Sequence, residues 1–164
     1  MDQNAIELRP TTENDLDYIL QAEQDPENRA FILPWTREAH AKACQDSDLL
    51  HRIIVCPQNG RIVGFLICGG ATSPHRSLEF RRVVVTEKEK GFGRAAVRAV
   101  KELAFTQMRV HRLWLDVKEH NQRARALYRS EGFREEGLLR ESLFNGAHFD
   151  SLVIMAMLES EYLS

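Results

Sequence analysis

A glycine-punctuated turn between a strand and a long helix is the feature that most restricts how this chain can fold. Strand-forming residues at Phe80–Val85 end just before Lys88-Glu-Lys-Gly91-Phe-Gly93-Arg94, and a helix-forming run, Arg94–Phe105, follows. The first N–H groups of a helix have no internal partners, and the positive end of a helix favours an anion. Gly91 and Gly93 carry no Cβ that would keep a ligand away from the backbone. The segment therefore predicts an anion cradle that suits a phosphate.

The hydrophobic pattern on either side of this turn predicts a mixed α/β fold. The strand before the turn and a second run, His111–Val117, flank the long helix, so these two strands should run parallel. An Asn59-Gly60 pair between two apolar runs indicates an antiparallel hairpin in the front half of the sheet. The further predicted elements are strands Ile6–Arg9, Leu50–Cys56, Arg61–Gly70, Phe133–Arg140 and Phe149–Leu158, a helix from Thr11 to Glu23 that Asp25–Asn28 breaks, and helices from Pro34 to about Asp46 and from Asn121 to Arg129.

Length and composition exclude several classes of function. The 164 residues, 43% apolar and 28% charged, are predicted to form one domain over residues 1–164. A net charge near −2 gives no global field for nucleic acid, and the longest apolar run, Ile62–Ala71, is about half a membrane span. Cys44, Cys56 and Cys68 form no Cys-x-x-Cys pair, which argues against a zinc site or a disulfide framework. With no secretion signal at the N-terminus, we expect a cytoplasmic protein with no metal, no nucleic-acid partner and no membrane partner.

A second motif, Asn121-Gln-Arg-Ala124-Arg-Ala-Leu127-Tyr128-Arg-Ser-Glu-Gly132-Phe133, follows one helix and one strand after the first. Asn121 is a typical N-cap, and Ala124, Leu127 and Tyr128 share one face of a helix. The small Ala124 side chain allows a ligand or a strand to approach closely. Tyr128 is expected where the neighbouring strands end; the alternative is a core tyrosine whose hydroxyl donates to a backbone carbonyl.

Taken together and in this order, the two motifs resemble those of the Gcn5-related N-acetyltransferase (GNAT) superfamily. The family signature Gln/Arg-x-x-Gly-x-Gly/Ala corresponds to Lys88-Glu-Lys-Gly91-Phe-Gly93, with Lys88 in place of Gln or Arg. The tail, Phe144–Met155, is similar to the branch of ribosomal-protein N-terminal and polyamine acetyltransferases. The resemblance covers essentially the whole chain. It implies a mixed, mostly antiparallel sheet with a central splayed parallel strand pair, flanked by helices.

The resemblance also implies acetyl-CoA as co-substrate and assigns residues to it. The free edge of the strand at residues 83–85 would bind the pantetheine amides by strand addition. The pyrophosphate would lie at the glycine turn, and Arg123 and Arg125 are candidates for the 3′-phosphate, with a solvated helix face as the alternative. The implied cofactor-binding residues are Val83, Val84, Val85, Lys88, Lys90, Gly91, Phe92, Gly93, Arg94, Asn121, Arg123 and Tyr128.

The implied reaction is direct attack of a primary amine on the thioester, with Tyr128 as general acid or hydrogen-bond donor near the departing sulfur. At pH 7, deprotonating a polyamine amine of pKa about 10.4 costs about 4.6 kcal/mol, against about 1.4 kcal/mol for a protein α-amine of pKa about 8. A base therefore matters more for a polyamine. Glu79, on the strand leading into the cleft, is the predicted base; the alternative is an ion pair with an arginine such as Arg61. Glu119 and His120 are weaker candidates.

The acceptor is expected to be a protein N-terminal α-amine or a small-molecule amine such as a polyamine. Glu23, Asp25 and Glu27, followed by Trp35, fall where this family forms its acceptor wall, and an acidic, aromatic wall suits a cationic amine. Solvated helix termini are the alternative interpretation of these acids. The resemblance leaves a homodimer open. A second hypothesis, from another class, is a non-catalytic acetyl-CoA-binding or regulatory module with the same cradle.

Overall fold

The computed structural model describes residues 5–163, and the strands within this range form one sheet. The strands are β1 (Glu7–Pro10), β2 (Leu49–Val55), β3 (Ile62–Gly69), β4 (Ser77–Val85), β5 (Arg112–Lys118), β6 (Arg134–Phe144) and β7 (Phe149–Leu158). The helices are α1 (Leu16–Gln24), α2 (Pro26–Arg29), α3 (Arg37–Gln45), α4 (Phe92–Glu102), α5 (Gln122–Ser130) and α6 (Glu159–Leu163). The strand order across the sheet is β1-β2-β3-β4-β5-β7-β6.

The central strands β4 and β5 are parallel but pair over only a short length. Three residue pairs join Ser77–Glu79 to Arg112–Trp114. β4 then continues to Val85 and β5 to Lys118 without further pairing between them, so a gap opens in the middle of the sheet. The other neighbouring strands among residues 5–163 pair antiparallel. The predicted sheet, with one splayed parallel pair between antiparallel halves, is confirmed.

A β-bulge in β4 accompanies this gap. Ile67 of β3 pairs with Arg82, whereas the next residue, Cys68, pairs with Phe80, so Arg81 is an extra residue in β4. A bulge bends its strand and increases the local twist. We attribute the divergence of β4 from β5 to this bend, because the extra residue Arg81 lies two positions after Glu79, the last residue of β4 that pairs with β5.

Helices cover both faces of the sheet. The apolar residues of α4 recur three or four residues apart, which places Ala96, Val97 and Val100 on one helix face that packs against the sheet. On the opposite face, Ile19 of α1 packs with Phe65 of β3 in a second core. The inner strands of the sheet are thus buried between two helical layers, whereas the edge strand β6 is exposed along most of its length.

Three local features differ from the sequence-based expectations. The predicted helix breaker at residues 25–28 starts a new short helix, α2, because the Asp25 side chain caps it by accepting from the N–H of Glu27. The long helix begins at Phe92, two residues before Arg94, and its last part, Leu103–Gln107, is a π-helical turn. The short C-terminal helix α6 was not predicted.

Candidate active site

A cleft of about 1420 Å³ opens where β4 and β5 separate. This exceeds the roughly 300–1,000 Å³ usual for pockets that bind drug-sized ligands, so the cleft has room for a ligand of coenzyme size. The cleft is bordered by β4, β5, the starts of α4 and α5, and the segment around and after α2. All of the predicted cofactor-binding residues line it except Lys90, and the predicted base Glu79 is outside its lining.

The turn before α4 has the backbone that its glycines predict. Gly91 is the N-cap residue and has a φ of 80°, a left-handed conformation that favours glycine. A Cβ on Gly93 would meet Leu127 at 3.9 Å, an ordinary contact, so the protein's own packing leaves room for a side chain there. The first turn of α4 contains no acidic residue, which leaves its positive end uncompensated. The cradle therefore has the geometry and charge that a phosphate needs.

Arg94, in the first turn of α4, is held by two residues at the end of α5. Its guanidinium donates to Glu131 at 2.6 Å and to the hydroxyl of Ser130 at 3.0 Å. Arg98 and Lys101 also contact Glu131, whose side chain is buried. Burial opposes ionisation of Glu131, but the bonds from Arg98 and Arg94 hold its pKa below the usual value. Glu131 therefore stays charged and keeps Arg94 beside the cradle.

The two lysines of the glycine turn have different surroundings. Lys88 lines the cleft and donates to the side-chain oxygen of Asn28 in α2. Partial burial lowers the pKa of Lys88, although the nearby Glu27 opposes this shift. Lys90 is exposed, as Lys88 is, but it lies outside the cleft lining and pairs with Glu87 at 3.1 Å. Of the two, Lys88 is positioned to meet an anion in the cleft, and contact of Lys90 with the pyrophosphate stays a prediction.

The arginines near the start of α5 also differ. The Asn121 side chain caps this helix by accepting from the N–H of Ala124 at 3.2 Å, as the motif predicts. Arg125 donates to the Glu135 carboxylate at 3.1 Å, so its guanidinium already has an anionic partner. Arg123 is exposed and lines the cleft, and its side chain has no ion pair or hydrogen bond within residues 5–163. Arg123 is therefore the candidate that an anion such as the 3′-phosphate can reach.

The unpaired edge of β4 offers backbone groups to the cleft. The carbonyl of Val84 faces Gly64 of β3, and the N–H of Thr86 donates to the carbonyl of Val63 at 2.9 Å. Both groups therefore lie on the edge of β4 that faces β3. Because successive residues of a strand direct their backbone groups to opposite edges, those of Val83 and Val85 face the gap. Of the three predicted valines, these two have the free N–H and C=O groups that suit the amides of pantetheine.

Tyr128 lies on α5 at the inner end of the cleft. Its side chain is 8% exposed and packs against Phe133 with ring centroids 5.8 Å apart. The alternative interpretation required a hydroxyl bonded to a backbone carbonyl, but within residues 5–163 this hydroxyl makes no hydrogen bond. Burial, together with the negative charge of Asp116, raises the pKa of Tyr128 to about 12. The phenol is therefore protonated at neutral pH and available to a group in the cleft.

Two carboxylates flank the point where the central strands separate. Glu79 is in the last pair between β4 and β5, and its carboxylate accepts from the Arg81 guanidinium at 2.8 Å. The ion pair considered as the alternative is thus present, with Arg81 as the partner, since Arg61 pairs with Glu87. The role of Glu79 as base stays a prediction. Asp116 lines the cleft, and the sequence reasoning missed it.

A buried polar chain, also missed, runs under the segment that follows α2. The fully buried Glu23 accepts from His40 at 2.6 Å and from Arg82; His40 lies 3.0 Å from His51, which lies 2.8 Å from the Thr11 hydroxyl. Burial and the neighbouring His40 lower the pKa of His51 to about 4. Glu23 is therefore neither a solvated helix terminus nor free to bind an amine.

Arg82 connects this chain to the loop beside the cleft. It donates to the carbonyl of Leu33 at 2.6 Å and lies 5.1 Å from the centre of the Trp35 ring. Phe31 of the same loop contacts His120 across the cleft, with ring centroids 6.1 Å apart. Among the predicted acidic wall, Glu27 is the member that lines the cleft.

Comparison with known proteins places this geometry in a family. The model of the acetyltransferase (GNAT) family matches residues 16–133, more than half of the chain. The chain belongs to the GNAT acetyltransferase family. Spermidine N(1)-acetyltransferase of Escherichia coli (strain K12) is similar to this acetyltransferase, with 25% identity over 170 residues that cover 98% of this chain and 90% of that protein. That of Vibrio cholerae is 27% identical over 169 residues, which cover 97% and 96%.

Solved structures agree with the fold of this GNAT acetyltransferase. Spermidine N-acetyltransferase from Vibrio cholerae in complex with CoA and spermine superposes with a TM-score of 0.87 at 25% identity, covering 97% of this chain and 98% of that one. A chimera of the Vibrio cholerae enzyme and hSSAT gives a TM-score of 0.86 at 24% identity, covering 97% and 98%. The predicted GNAT fold is confirmed.

These findings also confirm the predicted chemistry. The protein is an acetyl-CoA-dependent N-acetyltransferase, an enzyme and not the non-catalytic module considered as the alternative. The cradle at Gly91, the free edge of β4 and the unpaired Arg123 fit the phosphates and amides of that co-substrate. Within residues 5–163, no group of His, Cys, Asp or Glu side chains could hold a metal ion, and no helix is long and apolar enough to cross a membrane.

Proposed function

We propose that this enzyme acetylates a primary amine of a polyamine of the spermidine or spermine type. Two lines of support meet here. Relatives that align with nearly the whole chain are spermidine acetyltransferases, and one solved relative holds CoA and spermine together. The observation in this protein that supports the proposal most is a cleft that combines basic residues for the phosphates with apolar side chains and with Asp116, whose carboxylate has no partner among residues 5–163. Spermidine and spermine are amine groups joined by methylene chains, which require a carboxylate and apolar walls.

The apolar part of the acceptor end has suitable surfaces. Phe31 and Leu33 are 44% and 43% exposed and line the cleft on one side, while Leu143 and Leu152 line it on another. Methylene groups gain about 0.8 kcal/mol each when they are removed from water, so such walls favour an aliphatic chain over a compact polar amine. Glu27 lines the same cleft but lies near Lys88, so its negative charge acts close to the phosphate end.

For the co-substrate, we propose that the glycine turn binds the pyrophosphate. The N–H groups that begin α4 and the side chains of Lys88 and Arg94 supply its donors, and Arg123 contacts the 3′-phosphate. Each charge-assisted hydrogen bond contributes roughly 1.5–3 kcal/mol, so a few of them suffice for firm binding. The backbone of Val83 and Val85 pairs with the pantetheine amides, which directs the thioester toward the inner end of the cleft.

At the reacting centre, we propose that Tyr128 donates a proton or a hydrogen bond to the sulfur as the C–S bond breaks. Its pKa of about 12 keeps the proton in place, and its hydroxyl has no competing partner among residues 5–163. The predicted base, Glu79, carries a negative charge next to this centre, although Arg81 engages its carboxylate. The negative charge of this region favours an approaching ammonium group.

We further propose that residues 1–164 act as one acetyltransferase domain in the cytoplasm. The three cysteines are free, with Cys56 and Cys68 buried, as expected for a reducing compartment.

A homodimer would use β6, an edge strand exposed along most of its length that carries Leu138 and Leu139, each 46% exposed. Light scattering coupled to gel filtration checks the assembly; a monomer at micromolar concentration would contradict it.

The experiment that tests the substrate is a thiol-release assay with acetyl-CoA and a panel of amines. The panel contains spermidine, spermine, putrescine, an aminoglycoside, free amino acids and a peptide with a free N-terminus. We expect spermidine and spermine to give the highest kcat/KM, by at least tenfold. A higher kcat/KM with the peptide would contradict the polyamine assignment while leaving acetyl transfer intact.

A further inference from the structure

Asp116 is a carboxylate in the cleft that the family comparison does not explain. Its neighbours along β5, Leu115 and Val117, are buried in the core under α4, so Asp116 faces the opposite side of the sheet. It lies two residues beyond Trp114, the last residue of β5 that pairs with β4. Its side chain therefore borders the cleft where the two strands have just separated, and it is one of the lining residues.

The partners of Asp116 and Glu79 distinguish the two carboxylates. Glu79 accepts from Arg81 at 2.8 Å, and this ion pair occupies it. Within residues 5–163, the carboxylate of Asp116 makes no hydrogen bond and no ion pair. The side chain of Asp116 is exposed where it lines the cleft, so an ammonium group in the cleft can reach its carboxylate. Asp116 thus has the free acceptor capacity that Glu79 lacks.

The charges around Asp116 favour uptake of a proton. Burial raises the pKa of Asp116, the negative charge of Glu79 raises it further, and Arg81 opposes this shift. Tyr128 on α5 is close enough that the charge of Asp116 raises the pKa of the phenol. The residue of β7 that pairs with Asp116 is the apolar Ile154. The titratable and charged groups that act on Asp116 are therefore Glu79, Arg81 and Tyr128.

Resting on the polyamine acetylation proposed above, we propose that Asp116 binds the reacting ammonium group of the acceptor and takes its proton. Glu79 and Arg81 act through it as positioning residues that set the local charge. Asp116 and Tyr128 line the same cleft, and they are close enough for the charge of Asp116 to act on the phenol. The proposed reaction therefore has a proton acceptor for the amine and a proton donor for the sulfur within one site, as general acid–base catalysis requires.

The proton balance of the proposed step is complete. The ammonium group gives one proton to the Asp116 carboxylate, and the neutral nitrogen attacks the thioester carbon to form the C–N bond. The C–S bond then breaks, and its electron pair leaves with the sulfur, which takes the Tyr128 proton. The tyrosinate recovers a proton from the nitrogen that is becoming the amide, and Asp116 releases its own to solvent. The products are the acetylated amine, CoA thiol and one free proton.

The test compares Asp116→Asn with wild type on amines of different pKa. At pH 7, about one molecule in 2,500 of an amine with pKa 10.4 is neutral, against about one in 10 for pKa 8. We expect Asp116→Asn to lower kcat for spermidine about 100-fold to 1,000-fold, and to lower it less than tenfold for a methylene-chain amine of pKa near 8. Raising the pH from 7 to 9.5 should restore much of the loss with spermidine.

Controls separate this role from a structural one and from simple attraction. Asp116→Glu should recover at least tenfold of the lost kcat, and Glu102→Gln, an exposed change on α4, should leave turnover unchanged. Equal KM for acetyl-CoA and an unchanged melting temperature show that Asp116→Asn is folded.

A rise in KM for spermidine with an unchanged kcat would overturn the proposal, because it indicates charge attraction alone. A Glu79→Gln loss of 100-fold beside an Asp116→Asn loss below threefold would also overturn it. If wild type acetylates a peptide N-terminus and no polyamine, the polyamine assignment fails first.

Discussion

Removal of the Tyr128 hydroxyl gives the sharpest test of the proposed mechanism. The Tyr128→Phe variant keeps the ring that packs against Phe133 at 5.8 Å and removes only an oxygen that makes no hydrogen bond within residues 5–163. Because the variant removes no hydrogen bond from this part of the folded protein, we expect its free energy of unfolding to differ from that of wild type by less than about 0.5 kcal/mol. Binding of CoA should also be unchanged, since the cradle is at the other end of the cleft.

Turnover should respond very differently. A positioned general acid contributes about 10²-fold to 10⁴-fold, which corresponds to about 2.7–5.4 kcal/mol of the activation barrier at about 1.36 kcal/mol per tenfold. We therefore expect kcat of Tyr128→Phe to fall at least 100-fold in the thiol-release assay with saturating spermidine. The dissociation constant for CoA, measured by isothermal titration calorimetry, should stay within a factor of two.

The pH dependence adds an independent check. The pKa of Tyr128 is raised to about 12, so the neutral phenol is present at every pH below about 10. The activity of wild type should accordingly show no alkaline fall before pH 10, while it rises with deprotonation of the amine. Tyr162→Phe, the same change on a tyrosine that stacks on Phe105 far from the cleft lining, is the matched control. A Tyr128→Phe enzyme with more than a tenth of wild-type kcat would refute the reasoning.

Three further predictions concern the cofactor end and the buried polar groups. Arg123→Gln should raise KM for acetyl-CoA about tenfold, and not for 3′-dephospho-acetyl-CoA, whereas Arg129→Gln on the same helix should change neither; equal effects on both thioesters would contradict the 3′-phosphate contact. Because the pKa of His51 falls from 6.5 to about 4 on folding, its stabilisation is complete above pH 6.5 and is lost as pH falls toward 4. The free energy of unfolding, measured with urea, should therefore fall between pH 7.5 and pH 5 by about 2 kcal/mol more in wild type than in His51→Gln. An equal fall in the two proteins would contradict this. Glu131→Gln removes the charged partner of Arg94 and leaves it only the bond to Ser130. A loss of about 2 kcal/mol, at about 2–4 °C per kcal/mol for a domain of this size, should lower the melting temperature by about 4–8 °C and weaken CoA binding; an unchanged melting curve would argue against a structural role for Glu131.

The anion cradle and the caps could be predicted because each depends on residues that are adjacent in the chain. The left-handed φ of Gly91 and the capping bond of Asn121 follow from local backbone preferences, and the sequence pattern identifies both. The parallel direction of the central strand pair also follows from the order of strand, helix and strand, whereas its splay was expected only from the family resemblance. The bulge at Arg81 does not, because an extra residue in a strand is defined only by its pairing with β3.

The side chains of the candidate site also divide into those whose role the sequence predicts and those whose partners only the fold defines. From the sequence alone, Glu23 and Glu79 are acidic residues near a cleft, and Asp116 is one acid in an apolar strand. In the folded protein, Glu23 binds Arg82, which lies 59 positions later in the chain, and Glu79 binds Arg81. The carboxylate of Asp116 has no partner among residues 5–163. The sequence thus determined the fold and the phosphate cradle, since short-range periodicity and backbone preference encode them. Only the folded chain decided which carboxylate is free, because that depends on which cations, near or distant in the chain, the folded sheet brings within reach.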